Sequence, residues 1–244
     1  MGCQPRGSGA TQGGTRRCWS RRVVIVDRLD SQFQSDNSLA SWPAESNCTP
    51  LESAVEAQYV KLLYQLRGSG PGLIRRIGIT SSVRGEGVTT VAAQLGQVAA
   101  GQGLRVLLVD ANPEYAALHQ MFGIENQHGL SELLINDNSY DTVFATSIKN
   151  LFVIPSGQVE IRAQTQCAVP VLLESLRAQF DLVVFDFPAV DGRFHAAQLL
   201  AAFQPLLLVV AKSTPASIVN QAADALTRMN LEPCGALLNH LVAD

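Results

Sequence analysis

The chain has 244 residues, 47% of them hydrophobic and 16% charged, with a net charge of −3. That is enough apolar material for one sizeable α/β domain with an appendage, and the overall charge gives no reason to expect a nucleic-acid partner. No apolar run approaches the ~18 residues of a membrane span, so no transmembrane helix is expected.

The first 50 residues are rich in Gly, Ser, Gln and Arg and show little helical or strand periodicity. They are expected to be a disordered basic tail. Residues 1–28 carry six arginines (Arg6, Arg16, Arg17, Arg21, Arg22 and Arg28) against one acid, Asp27. Attraction to an anionic membrane surface or acidic partner is the functional alternative for such a tail. The opening "MGCQPR" lacks the Ser or Thr that myristoylation wants, because Arg6 stands there. No apolar stretch of a secretory signal follows it. Five cysteines (Cys3, Cys18, Cys48, Cys167 and Cys234) never fall in CxxC spacing, so neither a zinc site nor a disulfide framework is implied. Cys167 and Cys234 are read as small hydrophobes in a reducing cytosol.

From residue 51 onward the pattern is that of a folded domain, expected over 51–244. Leu51, Val55, Tyr59, Leu62, Leu63 and Leu66 keep three- and four-residue spacing, which predicts a helix over 51–70 ending at Gly68. "LIRRIGIT" (73–80) reads as a strand, followed by the glycine loop "SSVRGEGVTT" (81–90) and a helix over 89–103. "LRVLLVD" (104–110) is an apolar strand closed by an acid. A helical turn near 114–121, a short helix over 129–136, a strand over 151–155 and a helix over 164–179 come next. "DLVVFDF" (181–187) is again a strand, then a helix near 194–202, a strand over 205–211, a helix over 215–230 and a strand over 234–239. Alternating strands and helices, with strands apolar on both faces, predict a doubly wound, mostly parallel α/β sheet with flanking helices. Ligands of such sheets sit at the carboxyl ends of the strands. The glycine loop, Asp110 and Asp186 all fall there.

Those positions suit phosphate chemistry. Backbone N–H groups at a helix N-terminus, opened by Gly85 and Gly87, can cradle an anion. Thr89 can offer its hydroxyl to Mg²⁺, and Asp110 and Asp186 can hold the metal's water shell or orient an attacking group. Where such a loop carries a lysine, between its last glycine and Thr89–Thr90, this chain has Val88. Removing one such charge-stabilising group costs about 10²–10³ in rate. Arg84 is the nearby cation that can substitute, with a forked geometry unlike lysine's point charge.

These stretches resemble the bacterial tyrosine kinases of capsule and exopolysaccharide synthesis, which belong with the deviant P-loop ATPases that include cell-division and chromosome-partition proteins. The likeness runs through "IGITSSVRGEGVTTVAAQLGQVAAGQGLRVLLVDAN", "HQMFGIENQHGLSELL", "LFVIPSG", "FDLVVFDFPAV" and "GALLNH", roughly residues 51–240. It implies a P-loop NTPase fold and an ATP/ADP and Mg²⁺ site. In that site Arg84, Gly85, Glu86, Gly87, Val88, Thr89 and Thr90 form the first motif, Asp110 the second and Asp186 the third. Asn239 matches the asparagine that reads the adenine ring.

The chain departs from the family pattern at several of these places together. Val88 replaces the lysine, Asn112 stands for a second aspartate, and Phe187 and Ala189 alter the third motif. His195 stands where a further aspartate follows. The tyrosine cluster that closes the kinases is replaced by "LLNHLVAD", and Lys61, Tyr64 and Arg67 replace the glutamate and arginines of the ring-forming helix. The resemblance therefore implies a catalytically impaired accessory protein of exopolysaccharide export. It would be peripheral at the inner membrane, docked on the cytoplasmic tail of a membrane chain-length co-polymerase, with a homo-oligomer left open. An active ATPase or tyrosine autokinase with a rearranged site, and a partition-type positioning ATPase, are the alternatives.

Overall fold

A computed structural model of the protein describes residues 23–26, 51–67, 75–135, 142–158, 174, 176, 178–190 and 205–239. The strands are β1 (Val23–Val26), β2 (Arg76–Ser81), β3 (Val106–Asp110), β4 (Phe144–Ala145), β5 (Leu151–Ile154), β6 (Leu182–Asp186), β7 (Leu206–Ala211) and β8 (Pro233–Asn239). They form one sheet in the order β1-β8-β7-β2-β6-β3-β5-β4, parallel except for the pairing of β4 with β5. After β2 the chain moves to one side of the sheet. It then returns to place β6 between β2 and β3, and continues to the other side with β7 and β8. This reversal opens a crevice at the carboxyl edge of β2, β6 and β3.

The sheet is covered on both faces because successive strand residues point opposite ways. In β3, Val106 and Leu108 enter one core while Leu107 and Val109 enter the other; β6 divides Leu182 and Val184 from Val183 and Phe185 in the same way. The first core is closed by α1 (Ser53–Arg67) and α2 (Val88–Gly101). Val55, Tyr59, Leu62 and Leu63 of α1 are buried, as their spacing predicts, whereas Lys61 and Tyr64 face solvent. Helix α2 is buried nearly all round, because it lies between the sheet and α1. Its alanines make that close approach possible without side-chain entropy loss. The second core takes Ala222 and Leu226 from α5 (Ala216–Arg228) and Leu130 and Leu134 from α4 (Leu130–Ile135).

Three elements differ from the sequence expectation. Val23–Val26, inside the segment expected to be a basic tail, adds a parallel edge strand with Val26 paired to Asn239. The helical turn near 114–121 is split into a 3-10 turn, Pro113–Tyr115, and the short α3, Leu118–Met121. Pro113 fixes the first turn and the Asn112 side chain caps it, accepting from Tyr115 N at 3.3 Å. The two-residue β4 carries too little pattern to be read from sequence. The helix expected over 194–202, most of that over 164–179, and His195 and Cys167 lie outside the described residues. Among the described residues no helix is long and apolar enough to cross a membrane.

Candidate nucleotide site

The glycine loop leaves β2 in the middle of the sheet and enters α2. Gly85 and Gly87 have φ of 89° and 87°, and a Cβ at Gly85 would meet nothing within 4 Å. The left-handed turn is thus a backbone requirement and the space beside it is open. Gly87 is the N-cap of α2 and accepts the first helical bond, from Val91 N at 2.9 Å. No side chain caps this helix. Its first-turn N–H groups, which have no partner within a helix, are thus left for an anion.

Glu86, assigned to the nucleotide by its place in the motif, turns its side chain into the protein. It is only 2% exposed. One oxygen, Oε2, accepts from Ser82 N at 2.6 Å and Val83 N at 3.0 Å. The other, Oε1, accepts from Ala211 N at 2.9 Å, at the last residue of β7, and from the Thr214 hydroxyl. Asn239 donates through Nδ2 to the Glu86 carbonyl at 2.9 Å, and its Oδ1 is buried with no partner. The loop is therefore anchored on the β7–β8 side by one carboxylate and one amide. The Glu86 carboxylate is thus spent within the protein, and Asn239 has one buried acceptor left for a donor such as an adenine amino group.

Asp110 and Asp186 end neighbouring parallel strands and are Cα partners in the β3–β6 register. Both are fully enclosed, at 0% and 1% exposed. Asp110 accepts from Asn112 N at 3.1 Å through Oδ1, and from Ala117 N at 3.0 Å and Leu118 N at 3.2 Å through Oδ2. Burial pushes its carboxyl up to about 6, and those backbone bonds hold it from rising further. Asp186 rises well above the usual carboxylate range, first through burial and then through repulsion by Asp110. The Thr89 hydroxyl lies close enough to favour its charged form slightly, but neither oxygen of Asp186 completes a hydrogen bond. Two buried, unsatisfied carboxylate oxygens beside a second acid and a threonine hydroxyl form a donor set for a hard, water-retaining cation such as Mg²⁺. Among the described residues no group of three or more His, Cys, Asp or Glu could hold a metal.

The cationic side of the site is different. Val88 begins α2 and packs partly against the first core, bringing no charge to the loop. Phe187 is fully buried and stacks on Phe185 with centroids 6.1 Å apart, so it too contributes nothing polar. Asn112 spends its side chain on the 3-10 turn. Arg84 is exposed, and its guanidinium lies 3.4 Å from the centre of the Tyr115 ring. Sequence reasoning gave Tyr115 no role. Nothing local marks it, since the contact joins two loops 31 positions apart.

A glycine loop running from a central parallel strand into a helix, faced by paired strand-end aspartates, defines a P-loop NTPase-type domain. The chain belongs to the family of the cellulose biosynthesis protein BcsQ, whose model matches residues 75–232. Among its relatives is the tyrosine-protein kinase YwqD of Bacillus subtilis, 31% identical over 172 residues, or 68% of this chain and 72% of that one. Another is the succinoglycan biosynthesis transport protein ExoP of Rhizobium meliloti, 28% identical over 68% of this chain. The chain spans 22% of that longer protein. The fold is also that of the chimerical protein CapA2B2, with a TM-score of 0.70 at 24% identity over 79% of this chain and 87% of that one. The tyrosine-kinase resemblance read from the motifs is thus upheld. The cellulose-associated family is a finding the motifs did not give.

Proposed function

We propose that the protein is an accessory factor of exopolysaccharide biosynthesis and export, built on a tyrosine-kinase-like domain that holds Mg-nucleotide but has lost most of its catalytic power. The observation that carries this reading is Val88. It stands at the start of α2, packed on apolar neighbours, while the glycine cradle and both aspartates around it are kept. Binding through backbone N–H groups and a metal survives without the lysine, whereas stabilisation of developing charge does not. The cellulose and succinoglycan names of its relatives support a β-glucan or similar exported polymer as the process served. In this reading the partner is the cytoplasmic tail of a membrane chain-length co-polymerase, and the protein is peripheral to the inner membrane through that contact.

Calorimetry with MgATP, followed by turnover assays with and without that tail, tests the reading. Micromolar binding with turnover near background is the expected result. Magnesium-dependent turnover that vanishes in Asp186→Ala would instead establish an active ATPase or autokinase. That second reading has one observation in its favour, an exposed cation, Arg84, within the glycine loop itself.

A further inference from the structure

Arg84 and Tyr115 come from different edges of the crevice. Arg84 lies in the loop after β2 and Tyr115 in the turn after β3, and in the sheet these two strands are separated by β6, which carries Asp186. The guanidinium stacked on the ring therefore joins the segments that follow the two strands flanking β6, whose Asp186 oxygens complete no hydrogen bond. Both side chains are exposed, Tyr115 at 43%. The contact is thus reversible, and the arginine is held by a ring face rather than by an acid.

We infer that Arg84 and Tyr115 form a latch over the phosphate side of the site, in which Tyr115 parks the cation that Val88 does not supply. Phosphate in the glycine cradle draws the guanidinium off the ring. The inference rests on the nucleotide-binding reading above and adds its regulation. The physical order of the two contacts decides the direction. An exposed cation–π contact is among the weaker attractions available to arginine. A forked, charge-assisted bond to phosphate is among the stronger. The ring competes with the ligand without preventing its binding. It also gives the loop a defined resting contact, because the turn that carries Tyr115 is capped by the Asn112 side chain, which accepts from the Tyr115 backbone N–H. Arg84 then acts as a further phosphate-binding residue and Tyr115 as a positioning residue that lowers affinity by occupying it.

The test is a double-mutant cycle read by calorimetry with MgATP on the full chain, with thermal melts to confirm that each variant is folded. Arg84→Ala is expected to weaken binding about 10–100-fold. Tyr115→Ala should tighten it about 2–5-fold by removing the competing ring, and Tyr115→Phe, which keeps the ring face, should leave it unaltered. In the Arg84→Ala background Tyr115→Ala should have no further effect. Binding within about twofold of the parent in Arg84→Ala overturns the latch. Weakening by Tyr115→Ala that persists without Arg84 overturns it as well, by giving the ring a separate structural role. Absence of MgATP binding in the parent and every variant overturns the nucleotide reading itself, and the latch falls with it.

Discussion

Replacing Glu86 with Gln preserves the size of the side chain but exchanges one acceptor oxygen for an NH₂ donor. In the native loop four donors converge on this carboxylate, two on each oxygen. If the new NH₂ faces Ser82 N and Val83 N, two buried donors lose their partner. If it faces the other way, the Thr214 hydroxyl can rotate and accept, and only Ala211 N is stranded. The second arrangement is the cheaper. One unpaired buried N–H costs about 1–3 kcal/mol, and the bonds that persist lose their charge assistance. Together these give a loss of about 2–4 kcal/mol, large against a total stability of about 5–15 kcal/mol. With a urea slope of about 3 kcal/mol per molar, the unfolding midpoint should fall by about 1 M. MgATP affinity should fall with it, because the loop is no longer tied to the end of β7. A midpoint within about 0.2 M of the parent would refute the reasoning. It would mean that the loop holds its shape by backbone preference alone.

Further outcomes follow from the same geometry. Between pH 3.8 and about 6 the unfolded chain has released the proton that native Asp110 still holds. Stability should therefore fall as pH rises through that window, by about 3 kcal/mol from this group, with no contribution below it. Asp186, also raised by burial and by Asp110, should add to the fall as pH rises, and Asp186→Asn should flatten it; urea melts from pH 4 to 8 without magnesium measure both. Val88→Lys should raise MgATP affinity yet recover less than the ~10²–10³ in turnover that a single missing donor explains, because Phe187 and Asn112 still bring no polar group to the site. Full recovery would show that Val88 was the sole defect. Gly157→Ala should cost about 2–4 kcal/mol in a thermal melt. Its φ is 84°, and the added Cβ would collide with the Glu132 carboxylate and the Ser131 hydroxyl.

Much of the fold was legible because its signals are local. The three- and four-residue spacing of Val55, Tyr59, Leu62 and Leu63 could bury only as a helix, and they are buried on one. Strands apolar at every position had to be covered on both faces, and alternate residues of β3 and β6 enter opposite cores. Val23–Val26 escaped because four apolar residues inside an arginine-rich stretch carry no periodicity; pairing with β8 decides it. In the site, the glycines and the strand-end acids were readable from type and position. The use of Glu86 was not, since its partners Ala211 and Thr214 lie 125 and 128 positions away.

By itself the sequence determined the parts: a phosphate loop without its lysine, two acids closing apolar strands, and the alternation that makes a parallel sheet. Each is a property of neighbouring residues, where hydrophobic period and backbone freedom act. The tertiary structure alone decided which parts meet. It placed Asp110 beside Asp186 by inserting β6 next to β3, turned Glu86 inward to anchor the loop, and set Arg84 on Tyr115. Strand order is chosen by how whole faces bury against one another, and no short stretch of the chain carries that information.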